Sequence, residues 1–119
     1  MSSGSIVKGR IVIDSDIKSL SGAAIFVRLE DASFADTHST LVSEQIIKSV
    51  NYDVKSPNQF DFELHAENLD DKADYIIQVH IDVDGNGIVS SGDFINMESY
   101  PVITHGFPRD VLIQVKQLK

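Results

Sequence analysis

The chain contains no cysteine, no tryptophan and only three prolines in 119 residues. Without cysteine there is no disulfide, no zinc–thiolate centre and no cysteine nucleophile, and the redox compartment is left open. Positive charge is scarce as well. Ten Lys and Arg face eighteen Asp and Glu, a formal net charge of −8. Nucleic acids and anionic membranes are held through basic patches, so neither is expected as a partner, whereas cations and basic proteins are. No apolar run approaches the ~20 residues of a spanning helix, and no transmembrane segment is expected. A secretory signal is also missing. Met1 to Ser5 is small and polar and reads as a disordered leader or tag remnant, standing where an export signal was removed. Catalytic groupings are absent too. Ser and His occur, but no spacing joins a nucleophile to a base and an orienting group, and there is no Gly-x-Ser-x-Gly elbow. The chain is therefore expected not to be an enzyme.

What the sequence does have is alternation with period two, the mark of half-buried strands. Hydrophobic residues make up 42% of the chain, ordinary for a globular domain. Val7, Ile11 and Ile13 share one face of a first run, with Lys8 and Arg10 opposite. Gly9 lies on the apolar face, where it lets a neighbour approach closely. Asp14 to Gly22 reads as a turn. Ile25, Val27 and Leu29 form a second strand, with Phe26 and Arg28 facing outward. Asp31 to Thr40 is a polar loop, with Phe34 and Ala35 placed to pin it to the core. Leu41 to Val50 reads better as a strand than as a helix, and the adjacent Ile46 and Ile47 require an outward isoleucine or a bulge.

A connector with Pro57 leads to Phe60, Phe62 and Leu64. The acidic Ala66 to Asp74 is a loop or one helical turn. Tyr75, Ile77, Val79 and Ile81 form the clearest strand. Phe94 to Ile103 is apolar but carries Pro101, which suits an edge or bulged strand. A turn from Thr104 to Asp110 precedes Val111, Ile113 and Val115. The expected fold is all-β: a single-domain antiparallel β-sandwich of about seven strands over residues 6–119. Its inward positions are the alternating apolar residues Val7, Ile11, Ile25, Val27, Leu29, Phe60, Phe62, Leu64, Ile77, Val79, Ile81, Val111, Ile113 and Val115.

The most specific chemistry lies in Asp82-Val-Asp-Gly-Asn-Gly-Ile-Val-Ser-Ser-Gly-Asp93. The pattern D-x-[DN]-x-[DN]-G, followed at the right distance by a carboxylate, is that of an EF-hand calcium loop. A hard cation needs several oxygens aimed at one point by a sharply turned backbone. Asp82, Asp84 and Asn86 supply side-chain oxygens at positions one, three and five. Gly87 permits the turn at position six, and Ile88 offers its carbonyl at seven. Val89 tucks an apolar side chain underneath at eight, and Ser90 ligates directly or through water at nine. Asp93 closes the shell where Glu is usual. A plain hairpin turn, with Gly85 and Gly87 at positive φ, uses the same residue types. The number of agreements at fixed spacing favours calcium. The entering segment is a strand, and a returning hairpin strand is expected in preference to an exit helix capped by Ser90 and Asp93.

The four histidines show no metal-ligand spacing. His65 and His80 fall on the polar faces of their strands and are expected to be solvated; His105 falls in a turn. His38 belongs to the Asp31–Thr40 loop. Phe26 is outward, as part of a partner-binding patch or as an isolated exposed aromatic.

Several segments together carry a resemblance: Val27-Arg-Leu-Glu-Asp-Ala-Ser-Phe-Ala-Asp36, Ser43-Glu-Gln45, Gln59-Phe-Asp-Phe-Glu-Leu64 and Tyr100-Pro-Val-Ile-Thr-His-Gly-Phe-Pro-Arg-Asp-Val111. In that order they resemble the bacterial YscW/YbaY-like lipoproteins, a family named for a type III secretion lipoprotein chaperone, from about residue 6 onward. The resemblance implies a small β-sandwich on the periplasmic face of the outer membrane. For the secretion members it also implies a pilotin that escorts a secretin subunit. A secretion-system or envelope protein is then the expected partner, and a periplasmic or extracellular location is expected. Two features depart from the family: no cysteine is present to bear a lipid, and a calcium-type loop stands where a short turn suffices. The competing class is a calcium-dependent carbohydrate- or surface-binding module, which a line of solvent-facing aromatics would favour.

Overall fold

The computed structural model describes residues 5–13, 19–33, 39–53, 59–67, 69–85, 87–96 and 98–118. The expectations for residues 1–4, Phe34, Ala35, His38, Pro57 and Asn86 lie outside them. Eight strands run in chain order: β1 (Ser5–Ile13), β2 (Ser19–Asp31), β3 (Thr40–Asp53), β4 (Gln59–Ala66), β5 (Tyr75–Asp82), β6 (Phe94–Asn96), β7 (Tyr100–Val102) and β8 (Asp110–Gln117). No helix occurs among the described residues.

Period-two alternation built these strands as expected. All the inward positions named from the sequence are buried except Phe60 and Val111, which are half-buried and pack on the same core. Phe94, Val102 and Tyr75 belong to the same core, as do Ile13, Leu20, Ala23, Val50, Ala66 and Ala73. Leu41 to Val50 is strand throughout. Its outward isoleucine is Ile46, and Ile47 packs inward. Two boundaries move. The expected turn before Ile25 ends sooner, because β2 already begins at Ser19 and carries an irregularity around Gly22 (φ 69°). β3 runs on to Asp53.

The fold is all-β as expected, and its strands do not split into two separate layers but join one continuous sheet with the order β3-β2-β5-β6-β8-β1-β4, β7 also pairing with β5. Nor is it wholly antiparallel, since β1 and β8 pair in parallel from Lys8↔Asp110 to Ile13↔Val115. Adjacent parallel strands need a long connection between them. Here that connection is almost the whole chain. The long β2 and β3 carry register shifts at Leu20/Ala23, Ala23/Ile25 and Leu29/Glu30, and such bulges bend and twist a sheet. The sheet curls until its two end strands, β3 and β4, come within side-chain reach. Ser43 Oγ donates to the His65 carbonyl at 2.8 Å, and the Glu63 amide donates to Gln45 Oε1 at 2.8 Å. The result is a nearly closed barrel whose seam is bridged by side chains.

Gly9 sits where close approach was expected. A Cβ there would lie 2.0 Å from the Val111 carbonyl oxygen. The segment expected as an edge strand divides into β6 and β7. Pro101 sits in β7, which pairs with β5 alone, the position in which a missing N–H is tolerated. After it the chain turns sharply through Ile103 (φ 74°), with the Thr104 amide donating to the Val102 carbonyl at 2.9 Å.

Candidate functional site

β5 and β6 form the antiparallel hairpin expected around the acidic loop, pairing His80↔Ile95 and Ile81↔Phe94. The alternation of β5 sends Ile77, Val79 and Ile81 inward and aims His80 and Asp82 at the outer face. Both outward residues are nevertheless buried, at 6% and 2% exposure, as is Asp93 at 1%. The 83–92 loop folds back over this end of β5 and covers them.

Burying carboxylates is costly unless donors surround them. Here the loop backbone supplies the donors. Asp82 Oδ1 accepts from the Gly85 amide at 3.1 Å and Oδ2 from the Gly87 amide at 2.8 Å. Gly85 and Gly87 hold φ of 74° and 78°, which lets successive amides turn toward one acceptor. Asp93 Oδ1 accepts from the Val83 amide at 3.0 Å. Its Oδ2 accepts from the Ser90 amide at 3.2 Å and from His80 Nε2 at 2.8 Å. Such charge-assisted bonds are about twice as strong as neutral ones. The first and twelfth loop positions therefore both tie the loop to itself and to β5.

The proposed ligand residues divide into groups. Asp82 and Asp93 converge, and with His80 they form a buried trio whose ligand-capable atoms all lie within 4.8 Å of one another. Ser90 Oγ lies 3.5 Å from Asp93 Oδ2 and 3.4 Å from Asp84 Oδ2, linking Asp84 to the cluster. Ile88 is exposed. Asn86 lies outside the described residues. Asp82 Oδ1, Asp82 Oδ2 and Asp93 Oδ1 each accept one of these amide bonds and keep a second lone pair, whereas Asp93 Oδ2 already accepts two N–H bonds. Oxygen donors dominate, so the described members suit a hard cation.

Two expectations are corrected. Val89 does not tuck under the loop; it is 53% exposed and stands as one wall of a groove on the outer face. His80 is not solvated. Its ring stacks on Phe26 with centroids 5.7 Å apart and planes 18° apart, and its Nε2 is held by Asp93. Alternation assigned its face correctly, but that face is roofed here by Phe26 and the loop. The available signals were an outward Phe26 and a histidine two residues before Asp82, on the same side of the strand. His65 is exposed, as expected. His105 lies in its turn, with Nε2 3.0 Å from Asp74 Oδ1.

The groove beside Val89 has a volume of about 280 Å³ and a floor of Phe26, His80 and Ile95. Arg28 lies 5.3 Å from the centre of the Phe26 ring and is paired with Glu44 at 2.5 Å. A larger open concavity of about 780 Å³ lies over β1, β4 and β8, lined by residues including Lys8, Arg10, Asp61 and Leu112. No helix among the described residues is long and apolar enough to cross a membrane.

No curated protein matches the chain. In fold it is similar to an alternative pilotin from the type II secretion system of Vibrio cholerae. The TM-score is 0.79 at 21% identity, over 98% of this chain and 99% of that one. A family model described as type III secretion system lipoprotein chaperone (YscW) matches residues 2–115. With nearly its whole length accounted for by that match, the chain belongs to the YscW family of type III secretion system lipoprotein chaperones.

Proposed function

We propose that the protein is a non-enzymatic, pilotin-like chaperone that binds a secretin subunit on the periplasmic side of the cell envelope. The match of residues 2–115 to the lipoprotein chaperone family carries this reading. The likeness in fold to a pilotin accords with it. The test is co-expression with the secretin encoded nearest to this gene, with and without the chain. The chain is expected to bind the secretin directly and to raise its yield in the outer membrane. Absence of direct binding between the purified proteins, together with unchanged secretin levels, would overturn the reading. Reproducible catalytic turnover that disappears in Asp84→Ala would overturn the non-enzymatic part.

Calcium belongs to this proposal as a structural ion. Asp82, Asp84, Asn86 and Asp93 would ligate through side chains, Ile88 through its carbonyl, and Ser90 directly or through water. The convergence of Asp82, Asp93 and Ser90 supports it. His80 would stay outside the shell and orient Asp93, as hydrogen-bond partners of ligands commonly do. The carbohydrate- or surface-binding alternative has less support. Among the residues whose side chains are described, Phe107 is the one exposed Phe or Tyr, so these present no line of solvent-facing aromatics.

A further inference from the structure

We infer that the open seam between β3 and β4 takes an extended segment of a partner protein as an added strand, apolar at alternate positions and polar between them. This surface is separate from the chaperone reading above and does not depend on it. Among the described residues no backbone hydrogen bond crosses from β3 to β4, the two ends of the sheet. Side chains cross instead, from Ser43 to the His65 carbonyl and from Gln45 to the Glu63 amide. Glu63 and His65 thus turn backbone groups toward the seam, and a row of such groups is a template for another strand. β3 has 14 residues and β4 has eight. β7, which pairs with β5 alone, is a poorer template, with three residues that include Pro101.

The seam also leaves the core short of cover. On the interior strands β2 and β5 the inward residues Ile25, Val27, Leu29, Ile77, Val79 and Ile81 are at most 2% exposed. On the seam strands Val42, Ile47 and Phe60 pack against the same core yet stay half-buried. A strand laid in the seam covers this apolar rim, so the side chains it turns inward are apolar. Those it turns outward lie between the exposed Lys48 of β3 and the exposed Asp61 and Glu63 of β4, which calls for polar residues. They also have room, because Gln45 and Glu63 both line the open concavity of about 780 Å³.

The pairings around the sheet leave β3 and β4 antiparallel to each other. A strand between them pairs antiparallel with one and parallel with the other, as β1 already does with β4 and β8. Cα atoms of β3 and β4 come within 8 Å, whereas a third strand holds its two neighbours about 9.6 Å apart. Entry therefore breaks the two side-chain bridges and forms ladders of backbone bonds in their place.

The test titrates the isotope-labelled full chain with a synthetic peptide of alternating Val and Thr, eight residues to match β4, with a lysine added at each end. NMR and hydrogen exchange give the readout. Exchange should slow at the Glu63 and His65 amides and along β3. A central strand donates its amides alternately to its two neighbours. The peptide N-methylated at its valines and the one N-methylated at its threonines should therefore each bind about tenfold or more weakly. Glu63→Pro removes a seam-facing N–H and should weaken binding as strongly, while Glu63→Ala should not; circular dichroism checks that both fold. Ser43→Ala combined with Gln45→Ala removes the bridges that entry must break and should tighten binding about fivefold or more. Equal binding of the N-methylated peptides would overturn the inference, as would weaker binding by the double alanine variant. Loss with only one methylated peptide would place a strand on one edge and not in the seam, and would overturn it too. So would protection centred on the groove beside Val89, or no binding at millimolar peptide. Protection of the same amides that grows with chain concentration and needs no peptide would identify a second copy as the occupant and overturn it as well.

Discussion

Gly9 and Asp93 show how much a single residue decides here. Gly9 is required by its neighbour and not by a turn: any Cβ would sit 2.0 Å from the Val111 carbonyl oxygen, with the Phe62 ring 3.0 Å away. The obstacle is backbone in the parallel β1–β8 ladder, so it cannot rotate aside. Gly9→Ala should destabilise the protein by ~1–3 kcal/mol or more, the range for overpacking, measured by urea unfolding. A loss under about 0.5 kcal/mol would mean that the ladder shifts easily at this point. Asp93 concentrates several buried bonds in one side chain. In Asp93→Ala the Val83 and Ser90 amides and His80 Nε2 all lose their acceptor. Each donor left buried and unsatisfied costs ~1–3 kcal/mol, and water entering the opened loop offsets part of that. An expected loss of about 3 kcal/mol, with weaker near-ultraviolet signal from the Phe26 environment, would distinguish a coupled cluster from an isolated loop carboxylate.

At the scale of the element, the β5–β6 hairpin unites a strand pair, an acidic loop and a groove wall. With strands entering and leaving, a bound ion would pin two strands together and not swing helices apart, which suits a structural site better than a switch. Asp93 is one methylene shorter than the usual Glu, so closing the shell draws the backbone inward. Calcium affinity is accordingly expected in the range of ~10⁻⁵ to 10⁻³ M. Binding only the folded chain should stabilise it by ~2.7 kcal/mol at a hundredfold excess over the dissociation constant. Magnesium should compete poorly, because it keeps a smaller, water-rich octahedral shell. Thermal unfolding with calcium, with chelator and with magnesium reads this directly. An unchanged midpoint in millimolar calcium with no calorimetric heat would leave the loop as a hydrogen-bonded turn, held by the amides that already bond Asp82 and Asp93.

For the whole molecule the issue is closure. β8 lies between β6 and β1 in the sheet order, and its Ile113 and Val115 are fully buried. Ending the chain before Asp110 would expose both flanking edges and open the core. That variant should show no cooperative unfolding transition by circular dichroism; a sharp transition would mean that the barrel tolerates a missing stave. The β3–β4 seam is the opposite case. It rests on the bridges from Ser43 and Gln45, so Gln45→Leu should cost only about 1 kcal/mol, the net worth of one hydrogen bond. Faster hydrogen exchange at the Glu63 amide should accompany it. Unchanged exchange there would show that the bridge is not formed in solution.

Period-two alternation settled the strands by itself, and nearly every position it assigned inward lies in the core, because a side chain's face in a strand follows from its place in the chain. It also marked Gly9 as a close-approach site, and it placed the hairpin around Asp82–Asp93. The fixed spacing of acids and glycines singled out that loop without saying whether its carboxylates would meet an ion or only backbone amides. Which edges join was beyond it. The parallel pairing of β1 with β8 links opposite ends of the chain, and no local pattern encodes such a contact. Curling into one nearly closed sheet, in place of two separate layers, depends on register shifts accumulated along β2 and β3 and on side chains that bridge the seam. Burial on the outer face was decided in the same way. Alternation assigns a face, but only the folded loop and Phe26 roof His80 and bring it to Asp93, because burial depends on what the rest of the chain lays over that face.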